Sequence, residues 1–225
     1  MEDEEVNTLL DMIKSEINIY SCNKNKKNMF DESLGMCGKM GKVLSLYRMY
    51  SETDDIEWEK QAEELLEEVL SQCSNIISLS YRSGLLGVGT GVEWLFQQGF
   101  LCGNRDIILE DIDILAMTAI IKRQIPNVDK IDGLIGLVSY FFYRLHYRKE
   151  EETLIVLTLK EHTLYLIDWI IEEVQNSDSV DEICRYYFVL VILHRLDICN
   201  AKIANVLQWC NRRVEELKLR ESCNQ

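Results

Sequence analysis

Residues 83–101 read SGLLGVGTGVEWLFQQGFL, in which a glycine pair three residues apart, Gly84 and Gly87, opens a strongly apolar helix. Two other stretches open the same way: CGKMGKVLSLYRMY at 37–50, with Gly38 and Gly41, and DGLIGLVSYFFYRL at 132–145, with Gly133 and Gly136. The three starts lie 46 and 49 residues apart, and each is followed by a second helical stretch. That is the period of one helical hairpin per repeat. One more step lands near Glu182, where a fourth hairpin begins without its glycines. The spacing predicts an all-α fold of about four hairpins.

Glycines three apart share a helix face and admit a neighbouring backbone closely. In the second repeat Gly91 extends that face by a turn. The run Gly87-Val88-Gly89-Thr90-Gly91 would be a phosphate-cradling loop only after a strand and before a Lys-Ser/Thr pair, and it has neither. Close packing is the better reading of these glycines.

Periodicity predicts helices at about 5–20, 37–51, 55–77, 84–98, 106–125, 133–148, 151–175, 180–195 and 200–220. In the helix at 55–77, Trp58, Ala62, Leu65, Leu66, Val69, Leu70 and Cys73 share one face, which predicts an outer helix with Glu59, Glu63 and Glu67 in water. The stretches 133–148 and Tyr186–Leu193 are apolar nearly all round and have to be covered on several sides. The single proline, Pro126, and the lack of a Gly/Ser-rich linker predict one domain over 1–225. Residues 1–29 form its N-terminal helix and linker, and 30–225 its repeats.

The net charge of −14, from 38 acidic against 24 basic side chains, opposes nucleic acid and anionic membrane as partners. Eight scattered cysteines with no CxxC pair predict reduced thiols, which favours a cytoplasmic protein. The acidic start Glu2-Asp3-Glu4-Glu5 is unlike a signal peptide, and no apolar run approaches the roughly 20 residues of a spanning helix.

The glycine starts, the Gly-Val-Glu-Trp-Leu of 91–95, the Gly-Phe-Leu of 99–101 and the ILEDID of 108–113 together resemble the lanthionine synthetase C-like family. The resemblance covers roughly residues 30–148. It implies an α/α toroid-like array, with inner helices entered through glycine turns and ringed by outer ones. With about four hairpins, fewer than the family's full members carry, the array is expected to be incomplete or irregularly closed. The family's catalytic members add a cysteine thiol to a dehydrated residue, using a zinc held by two cysteines and a histidine. A thiolate is the nucleophile in that chemistry, and zinc keeps it deprotonated.

This sequence has no Cys-His-Gly motif, and Trp209-Cys210 is followed by Asn211-Arg212-Arg213 where the family has a glycine turn. Cys184, His194, Cys199 and Cys210 are therefore weak metal candidates, and the expectation is no cofactor, with zinc as the alternative. The resemblance implies a non-catalytic pseudoenzyme that binds a peptide or protein partner in peptide modification, or forms a homo-oligomer. The alternative is an active enzyme, either a zinc cyclase completed by another subunit or another activity in the central cavity. Glu93, Arg82 and Trp94 are the cavity candidates. A carboxylate inside so apolar a helix needs a partner, so Glu93 either lines the cavity or pairs with a helix end or Arg82. Glu110, Asp111 and Asp113 suit the start of a helix through its dipole. Together with Glu93 they also offer the carboxylates that glycoside hydrolysis would use, a chemistry to which the resemblance lends nothing. His146 and His162 are expected to be structural.

Overall fold

The computed structural model describes residues 32–74, 76 and 78–223, with side chains through 219. The expected helix at 5–20 lies outside the described residues. All helices below belong to the unit Ser33–Gln225. Among the described residues there are nine helices and no strand: α1 (Lys39–Thr53), α2 (Ile56–Cys73), α3 (Leu85–Gln97), α4 (Arg105–Ile108), α5 (Glu110–Lys122), α6 (Lys130–His146), α7 (Leu154–Gln175), α8 (Val180–His194) and α9 (Asn200–Cys223). The all-α expectation holds. The one helix expected over 106–125 is two, broken at Leu109, whose backbone leaves helical geometry at φ −99 and ψ 2.

Helices α1, α3, α6 and α8 pack side by side in chain order, and each is backed by a later helix: α2 on α1, α5 on α3, α7 on α6, α9 on α8. Among the described residues α1 and α8, the ends of this row, share no substantial packed contact. The middle of the row is the most deeply covered. Every residue from Leu85 to Leu95 of α3 is buried, as are nearly all of those from Gly133 to Leu145 of α6.

Different helix starts are built differently. Helices α2, α4, α6, α7 and α8 carry side-chain caps from Asp55, Asn104, Asp129, Thr153 and Ser179, which satisfy N–H groups that the helix itself leaves open. Helices α1 and α3 begin at Gly38 and Gly84 with no side-chain cap. Their entry loops bend under the helix and offer backbone carbonyls instead: Lys39 N donates to Ser33 O (2.8 Å) and Leu85 N to Ser78 O (2.9 Å). This brings loop backbone so near that a Cβ on Gly38 would collide with Ser33 O, and one on Gly84 with Ser78 O. Both glycines have negative φ, so space and not an unusual dihedral demands them. In the third repeat Asp129 caps the helix one turn earlier than expected. Gly133 therefore lies within α6 rather than at its start, facing the Ile125 side chain.

One expectation about burial needs correction. Along α2 the buried line is Ala62, Leu66 and Val69, whereas Trp58 and Leu65 are half-buried and Leu70 is exposed. Packing against α1 alone covers only a narrow stripe. In Tyr186–Leu193, apolar nearly all round, Tyr186, Val189, Leu190, Ile192 and Leu193 are buried, because α6, α7 and α9 all press on α8. Only Tyr187, Phe188 and Val191 are half-buried.

The glycines of α3 should not be equivalent. A Cβ on Gly87 would strike the backbone of Tyr81 and Met36, whereas one on Gly91 would meet the flexible Met40 side chain. Gly87→Ala is expected to cost about 3 kcal/mol or more, above the usual overpacking range for an added methyl. Gly91→Ala should cost about 1 kcal/mol or less, since the gain in helix propensity offsets a yielding contact. Urea denaturation of the two variants measures the difference.

Candidate functional site

Helix α3 carries one charge in its apolar sequence, Glu93, and the apolar core of α6 carries one, Arg144. Both side chains have 0% exposure, and they meet: Arg144 Nη1 donates to Glu93 Oε2 at 2.9 Å. A buried ion needs all its hydrogen-bonding positions filled. Arg144 meets three carboxylates, with a bond from each of its three nitrogens. Its Nε and Nη2 donate to Asp113 Oδ1 and Oδ2 (3.1 and 2.6 Å), and Nη2 also reaches Asp106 Oδ1 (3.0 Å). Tyr140, one turn before Arg144, donates its hydroxyl to Asp113 Oδ1 at 2.6 Å.

The other oxygen of Glu93 is taken as well, by Arg105 Nη1 (3.2 Å) and by Gln97 Nε2 (3.2 Å). Arg148, a turn beyond Arg144 and 3% exposed, grips Asp106 with both Nη atoms (2.6 and 2.9 Å) and Glu151 through Nε (2.9 Å). Arg105 closes the rim on Glu151 (3.3 Å). Tyr140, Arg144 and Arg148 recur at i, i+4, i+8, so α6 presents them in one line. The break at Leu109 separates Asp106, on α4, from Asp113, on α5.

Electrostatics follow from this packing. Burial works against the charge of Arg144, but the bonds from Asp113 and the field of Glu93 outweigh it and hold the guanidinium above its ordinary pKa. Burial, with Asp113 alongside, pushes the Tyr140 hydroxyl well above the usual range. Burial tends to raise the Asp106 carboxyl too, yet the bonds from Arg148 and Arg144 win and hold it below the ordinary carboxylate value.

The expected site residues fall as follows. Glu93 does not line a cavity, because it has no exposure and both its oxygens are bonded. Its partners are Arg144 and Arg105, not Arg82 or a helix end. Arg82 lies in the entry loop of α3, where its carbonyl accepts from Cys37 N (2.9 Å). Trp94 is buried against Phe100 (6.0 Å between rings), with Arg48 5.6 Å from its ring centre. Phe100 returns to α3 because Gly99, at φ +79, takes the left-handed turn that lets Phe100 N donate to Leu95 O. Glu110 and Asp111 are exposed in the first turn of α5, but Asp113 is buried for Arg144 and not for the helix dipole. His146 stacks on Phe142 at 4.7 Å, and His162 Nδ1 lies 2.8 Å from Thr158 O.

Cys184 and Cys199 are exposed, His194 is half-buried, and Cys210 is buried within the continuing helix α9, where burial pushes its thiol up to about 11. Among the described residues no group of three or more His, Cys, Asp or Glu is disposed to hold a metal ion. No helix among them is long and apolar enough to cross a membrane.

A second feature lies on the first repeat. An open groove of about 460 Å³ runs along the start of α1, lined by Met36, Cys37, Gly38, Gly41, Ser45 and Leu65 among others. Leu65 is half-buried on α2 because it forms part of this wall.

No protein-family model, curated protein or solved structure matches the chain.

The sequence carried a signal for the ion network that position-by-position reading missed. Glu93 and Arg144 are opposite charges, each alone in an apolar stretch of helix, and such charges are each other's natural partners. Asp106, Arg105 and Arg148 had no such mark, since each lies among polar neighbours.

The network is chemically a clamp: every oxygen of its buried carboxylates accepts at least one hydrogen bond, and all three guanidinium nitrogens of Arg144 donate. Arg144→Met should destabilise the protein by about 3–5 kcal/mol, because it strands two buried carboxylates. Arg105→Ala, at the partly exposed rim, should cost about 1 kcal/mol or less. Because the Asp106 carboxyl is lower in the folded chain than its unfolded value near ~3.9, its stabilisation is complete above that value. It is lost as pH falls through the lower folded one. Asp106→Asn should flatten that part of the acid unfolding curve, followed by circular dichroism.

Proposed function

We propose that this chain is a lanthionine synthetase C-like protein that binds a peptide and scaffolds a peptide-modifying system without forming thioethers itself. The observation that carries the proposal is the row of inner helices, two of them entered through glycine turns, with an open and mainly apolar groove on the first. An extended peptide suits a groove whose wall includes the loop residues Met36 and Cys37, where backbone can pair with backbone. The non-catalytic half draws support from Glu93. This acid of the Gly-Val-Glu-Trp-Leu motif is committed to Arg144 and Arg105 and has no free oxygen for proton transfer.

Two measurements on the purified chain test the proposal. Elemental analysis should find zinc well below one ion per chain, and thiol titration should show that a peptide carrying cysteine and dehydroalanine keeps its free thiol on incubation. Stoichiometric zinc that is lost in Cys184→Ser, Cys199→Ser or Cys210→Ser, or consumption of the peptide thiol, would contradict it and favour a working cyclase.

A further inference from the structure

Three glycines occupy one equivalent position, the second of each pair in their repeats: Gly41, Gly87 and Gly136. Two of them abut the entry loop of the preceding repeat. A Cβ on Gly136 would lie 3.1 Å from Tyr81 Cβ, and one on Gly87 would lie 2.7 Å from Met36 N and 3.0 Å from Gly35 Cα. The slot over each is thus filled by chain one period earlier. Gly41 differs, for among the described residues the atoms nearest its missing Cβ all belong to Met36 of its own loop. Beyond them lies the groove of about 460 Å³.

The occupied slot over Gly87 shows what the space is shaped to hold. Residues Gly35-Met36-Cys37 lie along the entry loop of α3, with Met36 N donating to Tyr81 O (3.1 Å) and Cys37 N to Arg82 O (2.9 Å). Gly35 must be glycine there, since a Cβ would come within 2.5 Å of Arg82 O and 2.6 Å of Ser83 N. The carbonyl facing the second glycine of the pair is Tyr81 O at Gly87 and Met36 O at Gly41, so Met36 takes the place of Tyr81, and Cys37, next in the chain, that of Arg82. Among the described residues no backbone N–H donates to the carbonyls of Met36 and Cys37.

We propose that the groove over Gly38 and Gly41 docks an extended, glycine-containing peptide segment of a partner protein. Two successive N–H groups after the glycine donate to Met36 O and Cys37 O, as Met36 and Cys37 themselves do to the second repeat. The proposal rests on the peptide-binding reading and names the peptide's chemistry. Residues 1–31 contain no glycine and so lack the residue that the close approach demands. In a second copy, the segment 35–37 is already bound to its own Tyr81 and Arg82. A partner peptide is the occupant left.

The probe is a labelled, end-capped peptide Ser-Leu-Gly-Met-Cys-Gly, the sequence of residues 33–38, titrated into the full chain by fluorescence anisotropy. A photo-reactive benzoylphenylalanine at position 45 identifies what lies in the groove. Ser45 is exposed on the groove wall, so changing it leaves the core intact. The expected results are binding, photo-labelling of the peptide, and a loss of at least about tenfold both for a Gly→Val peptide and for the Ser45→Arg chain. Undiminished binding to Ser45→Arg, or equal binding of the valine peptide, would overturn the groove assignment and leave peptide binding standing. A photoproduct with residues 1–31 or with a second copy, in place of the peptide, would overturn the partner. If neither this peptide nor cysteine-bearing peptides of other sequence bind at all, both proposals fall.

Discussion

A guanidinium removed from water has to be met at every N–H, and the described structure turns on how Arg144 is met. Its partners come from three different helices: Glu93 from α3, Asp106 from α4 and Asp113 from α5. Because the charge sits on α6, the central inner helix is pinned to its neighbour and to the outer layer at one point. Apolar packing alone is tolerant of sliding and rotation; a bidentate ion pair in a dry interior is not. The cost of removing these charges from water means that the network adds register more than net stability. The rim residues Arg105, Arg148 and Glu151 carry the balancing charge out toward solvent.

This explains why the most distinctive stretches of the sequence cluster together. Glu93 comes from Gly-Val-Glu-Trp-Leu, Asp113 ends ILEDID, and Tyr140 and Arg144 lie in SYFFYRL. Between the first two, Gly99 turns the chain back so that Phe100 covers Trp94 and Tyr47, whose ring lies 4.6 Å from that of Phe100. Residues that suggested a cavity and its chemistry form a locked interior instead. An open groove lies elsewhere, along the start of α1.

Much of the helical layout was legible because apolar periodicity and glycine spacing are local signals. Helices α3, α7 and α8 fall within a few residues of where the pattern places them. What was not legible depended on neighbours distant in the chain. Leu70 looks like a core residue on the α2 pattern, but among the described helices α2 packs mainly on α1. Tyr186–Leu193 is apolar on every side and so has to be covered, but its sequence does not say by what; three helices enclose most of it. Asp113 has the sequence position of a dipole-stabilising acid, and only the approach of Arg144 reveals its role. Gly133 resembles Gly38 and Gly84 in spacing, yet Asp129 takes over the capping that loop carbonyls perform in the first two repeats. Spacing records the repeat; it does not record which atom does the work.

The account depends most on Glu93 and Arg144 acting as a pair, and a double-mutant cycle on urea unfolding tests this directly. With Glu93→Gln, Arg144→Met and the double variant, the pair should show a coupling energy of about 2–3 kcal/mol, near the upper end for contacting residues. The double variant should then be far more stable than the sum of the single losses implies. A coupling energy near zero would contradict the account, because it would mean that the two charges stabilise the protein independently and that no buried clamp joins α3 to α6.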